Sequence, residues 1–221
     1  MPPVKRGPIN PLKMPIDGTH QSEKIGIMGG TFDPIHYGHL LAAEFARAAA
    51  GLNRVIFVPS GNPPHKSYGG MAAAEDRFEM ARLAIESNPC FEISRLEIDR
   101  EGPSYTADTL EFFSALYPGA GLFFITGLDA ALDIPNWHEP LKILSLCRIL
   151  VIARTGYIRD KISMSDDLIR DSLLILDTEL IDISATDIRN KARSGCGIRY
   201  MTPDAVCDYI KMKNLYSAAE A

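Results

Sequence analysis

The stretch Lys24-Ile25-Gly26-Ile27-Met28-Gly29-Gly30-Thr31-Phe32-Asp33-Pro34-Ile35-His36-Tyr37-Gly38-His39 decides how this chain is read. Its first five residues predict a strand, which Gly29-Gly30 ends. Residues 39–50 form an alanine-rich run that predicts a helix, and Arg54-Val55-Ile56-Phe57-Val58, closed by Pro59, predicts a second strand. Strand, loop, helix and strand within about 35 residues make a βαβ unit, in which the two strands run parallel.

Working outward, the alternation continues. Residues 72–87 have helical periodicity, with Phe78, Met80, Ala81, Leu83, Ala84 and Ile85 as the expected apolar face. Further strands are expected at 91–94, 122–126, 148–153 and 173–176, and further helices at 106–116, 185–194 and 203–214. This pattern predicts an α/β protein with a doubly wound parallel sheet, a single domain with a C-terminal helical part. Residues 1–23 carry five prolines and read as a loose N-terminal extension without the apolar core of a secretory signal. No run reaches the roughly 18 apolar residues of a membrane span.

Composition narrows the partners. With 28 acidic and 23 basic residues the net charge is −5, which gives no basic face for a nucleic acid. Small anions remain compatible, because a few aimed donors hold phosphate on an acidic protein. Cys90, Cys147, Cys196 and Cys207 form no CxxC pair and read as reduced thiols of a cytoplasmic protein. The sequence leaves the oligomeric state open, a homo-oligomer included.

In doubly wound sheets, ligands bind beyond the carboxyl ends of the strands, so the loops after the strands carry the functional reading. The loop after the first strand opens a helix, whose N-terminus offers free N–H groups and partial positive charge. Gly29 and Gly30 let backbone approach a ligand. His36 and His39, three apart, would share a helical face and reach one polyphosphate, whose charge would favour their protonated forms. Zinc is the rival ligand, but two imidazoles are an incomplete set. Late in the chain, Ile183-Ser184-Ala185-Thr186-Asp187-Ile188-Arg189 opens another helix, with Ser184 or Thr186 as cap and Arg189 within reach of a phosphate. An ordinary capped surface helix fits that string too. His65 and Lys66 lie on a Gly/Pro-rich loop, and Gly102-Pro103-Ser104-Tyr105-Thr106 turns into a helix with N–H groups that suit a carboxylate. Asp129, after Gly127, could accept from ribose hydroxyls. Trp137, the only tryptophan, is either core or a stacking platform.

The first loop resembles the GxFxPxHxGH signature of the nucleotidylyltransferase superfamily at Gly30, Phe32, Pro34, His36, Gly38 and His39. The late string resembles the ISSTxIR motif, with Ala185 in place of its second serine. Together with Pro63-Pro64-His65-Lys66 and Ser104-Tyr105-Thr106-Ala107-Asp108-Thr109-Leu110, these strings resemble the bacterial nicotinate-nucleotide adenylyltransferase family. Lys161-Ile162-Ser163-Met164-Ser165 only faintly imitates the KMSKS loop of the related synthetases. The resemblance implies a Rossmann-like fold over residues 24–221 and transfer of AMP from ATP to nicotinate mononucleotide, giving deamido-NAD and pyrophosphate. It implies that His36, His39 and Arg189 are catalytic, and that Gly29, Gly30, Thr31, Phe32, Gly127, Asp129, Ser184 and Thr186 bind ATP. His65, Lys66, Tyr105, Thr106 and Trp137 would hold the acceptor. Mg²⁺ would ride on the ATP phosphates, without a protein metal site. Nicotinamide mononucleotide or phosphopantetheine as acceptor, and a non-catalytic nucleotide sensor, are the competing expectations.

Overall fold

The computed structural model describes residues 22–63, 70–154, 172–178 and 181–217. Six strands, β1 (Lys24–Gly30), β2 (Arg54–Pro59), β3 (Phe91–Ile93), β4 (Gly121–Gly127), β5 (Arg148–Arg154) and β6 (Leu173–Thr178), form one sheet in the order β3-β2-β1-β4-β5-β6. Every pairing is parallel. The expected doubly wound α/β architecture is therefore present. The order reverses between β1 and β4, so the loops leaving these two strands diverge and open a crevice between them.

Strand alternation places the core on both faces. Ile25 and Ile27 of β1, Leu122 and Phe124 of β4, and Ile149 and Val151 of β5 point to one face. There they meet α4 (Thr106–Leu116), α5 (Leu128–Leu132) and α6 (Pro140–Leu146). Met28, Phe123, Ile125, Leu150 and Ile152 point to the other. They pack under α1 (Tyr37–Ala50), α2 (Ala74–Ile85), α7 (Ala185–Arg193) and α8 (Asp204–Met212). Gly26 sits among the second set because a Cβ there would lie 2.8 Å from Leu52 Cδ1.

Three departures from expectation have local causes. The short helices α3 (Leu96–Asp99), α5 and α6 were not expected, since four to seven residues span too few turns to show a period. Helix α1 begins at Tyr37 rather than at 39. On α2 the inward face carries Arg77 in place of the expected Phe78, whose ring instead meets Arg95 at 4.9 Å on the half-buried flank.

Candidate active site

The loop from β1 to α1 is fixed from inside. Phe32 adopts φ 49°, a left-handed conformation that is costly for an aromatic residue, and its ring is buried beneath the loop. It packs edge-on against His39, with centroids 5.1 Å apart. His36 is the N-cap of α1 with extended backbone, outside the helical turn expected to carry both histidines. The two imidazoles nevertheless stack at 3.7 Å, and the His36 N–H donates to His39 Nδ1 at 3.3 Å. Gly38 makes the stack possible: a Cβ there would meet His36 Nδ1 at 2.9 Å. Burial pushes the His36 imidazole down to about 4, so it is neutral at pH 7 in the free protein. The expected protonated form of His36 would therefore have to be created by phosphate charge. His36 Nδ1 is buried with no hydrogen-bond partner among the described residues.

The second element converges on this loop. Ser184 caps α7, its Oγ accepting from the Asp187 N–H at 3.1 Å. Arg189, one turn along, donates to the Asp33 carbonyl at 2.7 Å and to Thr186 Oγ1 at 3.1 Å. Its guanidinium lies 3.7 Å from Asp33 Oδ2. Residues 156 positions apart in sequence thus share one loop. Ala185 is the first residue of α7; the cap itself comes from Ser184, so this alanine leaves the helix start intact.

Two cavities flank the ends of β1 and β4. One, of about 210 Å³, is lined by His36, Gly38, His39, Gly127, Ile181 and Ile183 together with strand residues. The other, of about 240 Å³, is lined by Gly29, Gly30, Thr31, Glu97, Thr106 and Trp137 among others. An adjoining recess of about 240 Å³ adds Tyr105, Asp133 and His138 to Ser104, Thr106 and Trp137. Trp137 is neither pure core nor free platform: its edge meets Phe124 at 6.0 Å and its indole N–H donates to Asp133 Oδ2 at 3.3 Å. Tyr105 stacks on His138 at 4.2 Å, so three rings line one recess.

The structure sorts the expected ATP-binding set into different places. Gly127 joins the histidine cavity, whereas Gly29, Gly30 and Thr31 face the tryptophan cavity. Phe32 lies in the core. Asp129 is exposed on the first turn of α5 and lines neither cavity. His65, Lys66 and the 161–165 string lie outside the described residues.

Sequence reading missed the buried polar scaffold. Arg77, 1% exposed, donates to the carbonyls of Ala72 at 3.1 Å, Thr31 at 2.8 Å and Gly61 at 3.3 Å. It thereby ties the loops after β1 and β2 together. Glu97, on α3, accepts from Thr109 Oγ1 at 2.7 Å under the tryptophan cavity. Burial holds its carboxyl above the usual carboxylate range, against the pull of the Thr109 and Ser104 hydroxyls. Thr126, the last side chain of β4 before Gly127, lines both the histidine and the tryptophan cavity. Its position at the end of a switch-point strand was the available signal. Asp108, His138 and Glu139 lie close enough to share a cation, but Glu139 already pairs with the Lys142 ammonium at 3.3 Å.

The cytidylyltransferase-like family profile matches residues 27–191. A probable nicotinate-nucleotide adenylyltransferase of Desulfitobacterium hafniense strain Y51 is 45% identical over 88% of this chain and 96% of its own length. One of Moorella thermoacetica is 45% identical over 87% and 91%. Among solved structures, Plasmodium falciparum nicotinic acid mononucleotide adenylyltransferase complexed with NaAD superposes with a TM-score of 0.71 at 20% identity. That match covers 88% of this chain and 97% of the other. The likeness is one of fold.

Proposed function

The chain belongs to the cytidylyltransferase-like family and, within it, to the nicotinate-nucleotide adenylyltransferases, and from that premise we propose that it transfers AMP from ATP to nicotinate mononucleotide. The observation that carries the reading is the convergence of stacked His36 and His39 with Arg189 on one loop at a helix mouth. A helix N-terminus, two imidazoles and a guanidinium all offer donors, which is what a triphosphate needs and an uncharged ligand does not. Ile181 and Ile183 give the same cavity an apolar wall suited to an adenine ring.

The 5′-phosphate of the mononucleotide attacks the α-phosphorus of ATP in line. A new P–O bond forms, the bond to the β-phosphate oxygen breaks, and pyrophosphate leaves with the electron pair. The nucleophile is already anionic, so catalysis is positioning and charge stabilisation rather than general-base work. His39 and Arg189 neutralise charge developing on the α-phosphate and leaving group. His36, neutral in the free protein, offers a fixed N–H and gains a proton only as phosphate charge arrives. A divalent ion such as Mg²⁺ would be held by the ATP phosphates and would supply charge neutralisation there, since the lining of the histidine cavity includes two imidazoles and a hydroxyl but no carboxylate. The acceptor lies across Thr126 in the tryptophan cavity. Its pyridine ring stacks on Trp137, and its carboxylate meets the free N–H groups at the start of α4, beside Tyr105 and Thr106.

Pyrophosphate release measured in parallel with nicotinate and nicotinamide mononucleotides tests this. The acid is expected to win by at least about tenfold, since the amide lacks the charge that the helix start receives. Preference for the amide would overturn the acceptor, and ATP binding without turnover on either would favour a sensor.

A further inference from the structure

The C-terminal segment reaches back to the histidine loop at three points. Thr202 Oγ1 donates to the Ile35 carbonyl at 2.7 Å, and the Tyr37 N–H donates to the Met201 carbonyl at 3.1 Å. The third contact spans the longest stretch of sequence: the Tyr216 hydroxyl donates to Asp33 Oδ1 at 2.6 Å, between residues 183 positions apart. Tyr216 is buried, and its backbone adopts φ 60°. A bulky residue holds that left-handed conformation only where its surroundings over-determine it. The carboxylate it meets is 1% exposed. Oδ1 also accepts from the Ala72 N–H at 3.1 Å, while Oδ2 stands 3.7 Å from the Arg189 guanidinium. Two hydrogen bonds on one oxygen therefore set the rotation of the carboxylate and aim the other oxygen at Arg189. Arg189 is further held by the carbonyl of the same residue.

We propose that Tyr216 is a positioning residue for ATP: its hydroxyl orients Asp33, and Asp33 in turn places Arg189 against the phosphates. Tyr216 itself touches no substrate. Its hydroxyl acts through two buried groups, so the C-terminal end of α8 and the turn that follows belong to the catalytic scaffold. The inference rests on reading the histidine cavity as the ATP site.

The test is a Tyr216→Phe substitution in the full chain, with steady-state kinetics in both substrates. Removing the hydroxyl lets the carboxylate turn and carries Arg189 with it. KM for ATP is expected to rise about tenfold and kcat to fall several-fold, while KM for nicotinate mononucleotide stays within about twofold. In an Arg189→Lys background the same substitution should add less than about twofold, because the two residues act along one path. A purely structural hydroxyl gives a different pattern: lowered thermal stability, proportional losses for both substrates, and additive effects with Arg189→Lys. That pattern, or unchanged ATP kinetics, overturns the proposal. If Tyr216→Phe does not fold, Asp33→Asn, which keeps the shape of the group that Tyr216 holds but removes its charge beside Arg189, should show the same selectivity for ATP; equal losses in both substrates there also overturn it. Failure of the wild-type enzyme to release pyrophosphate would instead count against the function proposed above, and is read separately.

Discussion

On one side of the gap between β1 and β4, the histidine cavity takes both its imidazoles from four consecutive positions of chain, while β1, β4, β5, Ile181 and Ile183 complete its largely apolar lining. On the other side, the lining comes from the loop after β1, the loop after β2, α3, the start of α4, β4 and the turn at Trp137. The histidine pair itself is set by local geometry: a left-handed Phe32 under the loop, a glycine that admits an imidazole, and a helix mouth. The tryptophan side is set by topology, with side chains brought together across separate elements and three rings stacked or edged at its rim. The difference implies a division of labour. The histidine side should govern turnover, and the tryptophan side should govern which acceptor is held.

The sharpest way to break this division is His39→Ala. If the histidine side works on the transition state, kcat falls about a hundredfold or more, with KM for both substrates changed only a few-fold. A rise in KM alone, with turnover intact, would make His39 a binding residue and dissolve the contrast. Acidity offers a second, smaller test. Burial lowers His36 from 6.5 to about 4, so below pH 6.5 the unfolded chain takes up a proton that the folded chain refuses. Stability is then lost progressively as pH falls from about 6.5 to about 4, by an amount on the order of 3 kcal/mol. His36→Asn should flatten that part of the profile of melting temperature against pH in the ligand-free protein. An unchanged slope would mean that the imidazole is hydrated rather than buried. Smallest is the acceptor side: Trp137→Ala should raise KM for the mononucleotide about tenfold and leave KM for ATP and kcat nearly unchanged. A fall in kcat as large as that of His39→Ala would show that the two walls are not separable.

Legibility in the sequence followed the same line. All six strands were readable, the central ones most easily, because parallel strands buried on both faces are continuous apolar runs such as Leu122–Ile125. The histidine loop and the Ser184 cap were readable because their chemistry lies within a few residues. Arg77, Asp33, Glu97 and Tyr216 were not. A buried charge looks like a surface charge until its partners are known, and the partners of Arg77 and Asp33 stand up to 46 and 183 positions away. Phe78 on α2 misled for the mirror reason: an apolar side chain predicts burial, yet the buried position beside it went to an arginine that three carbonyls required. The ring cluster at Tyr105 and His138 joins residues on opposite sides of β4, which no periodicity reports.

Thr126 is the one residue common to the linings of the histidine and tryptophan cavities, among the described residues. On the proposed assignment the two reactants meet over Thr126, a short side chain at the tip of β4. A bulkier residue would lengthen the flight path of the attacking oxygen, and a smaller one would widen the doorway. If the two cavities hold the two substrates as proposed, the size of the residue at position 126 changes how closely the reacting atoms can approach.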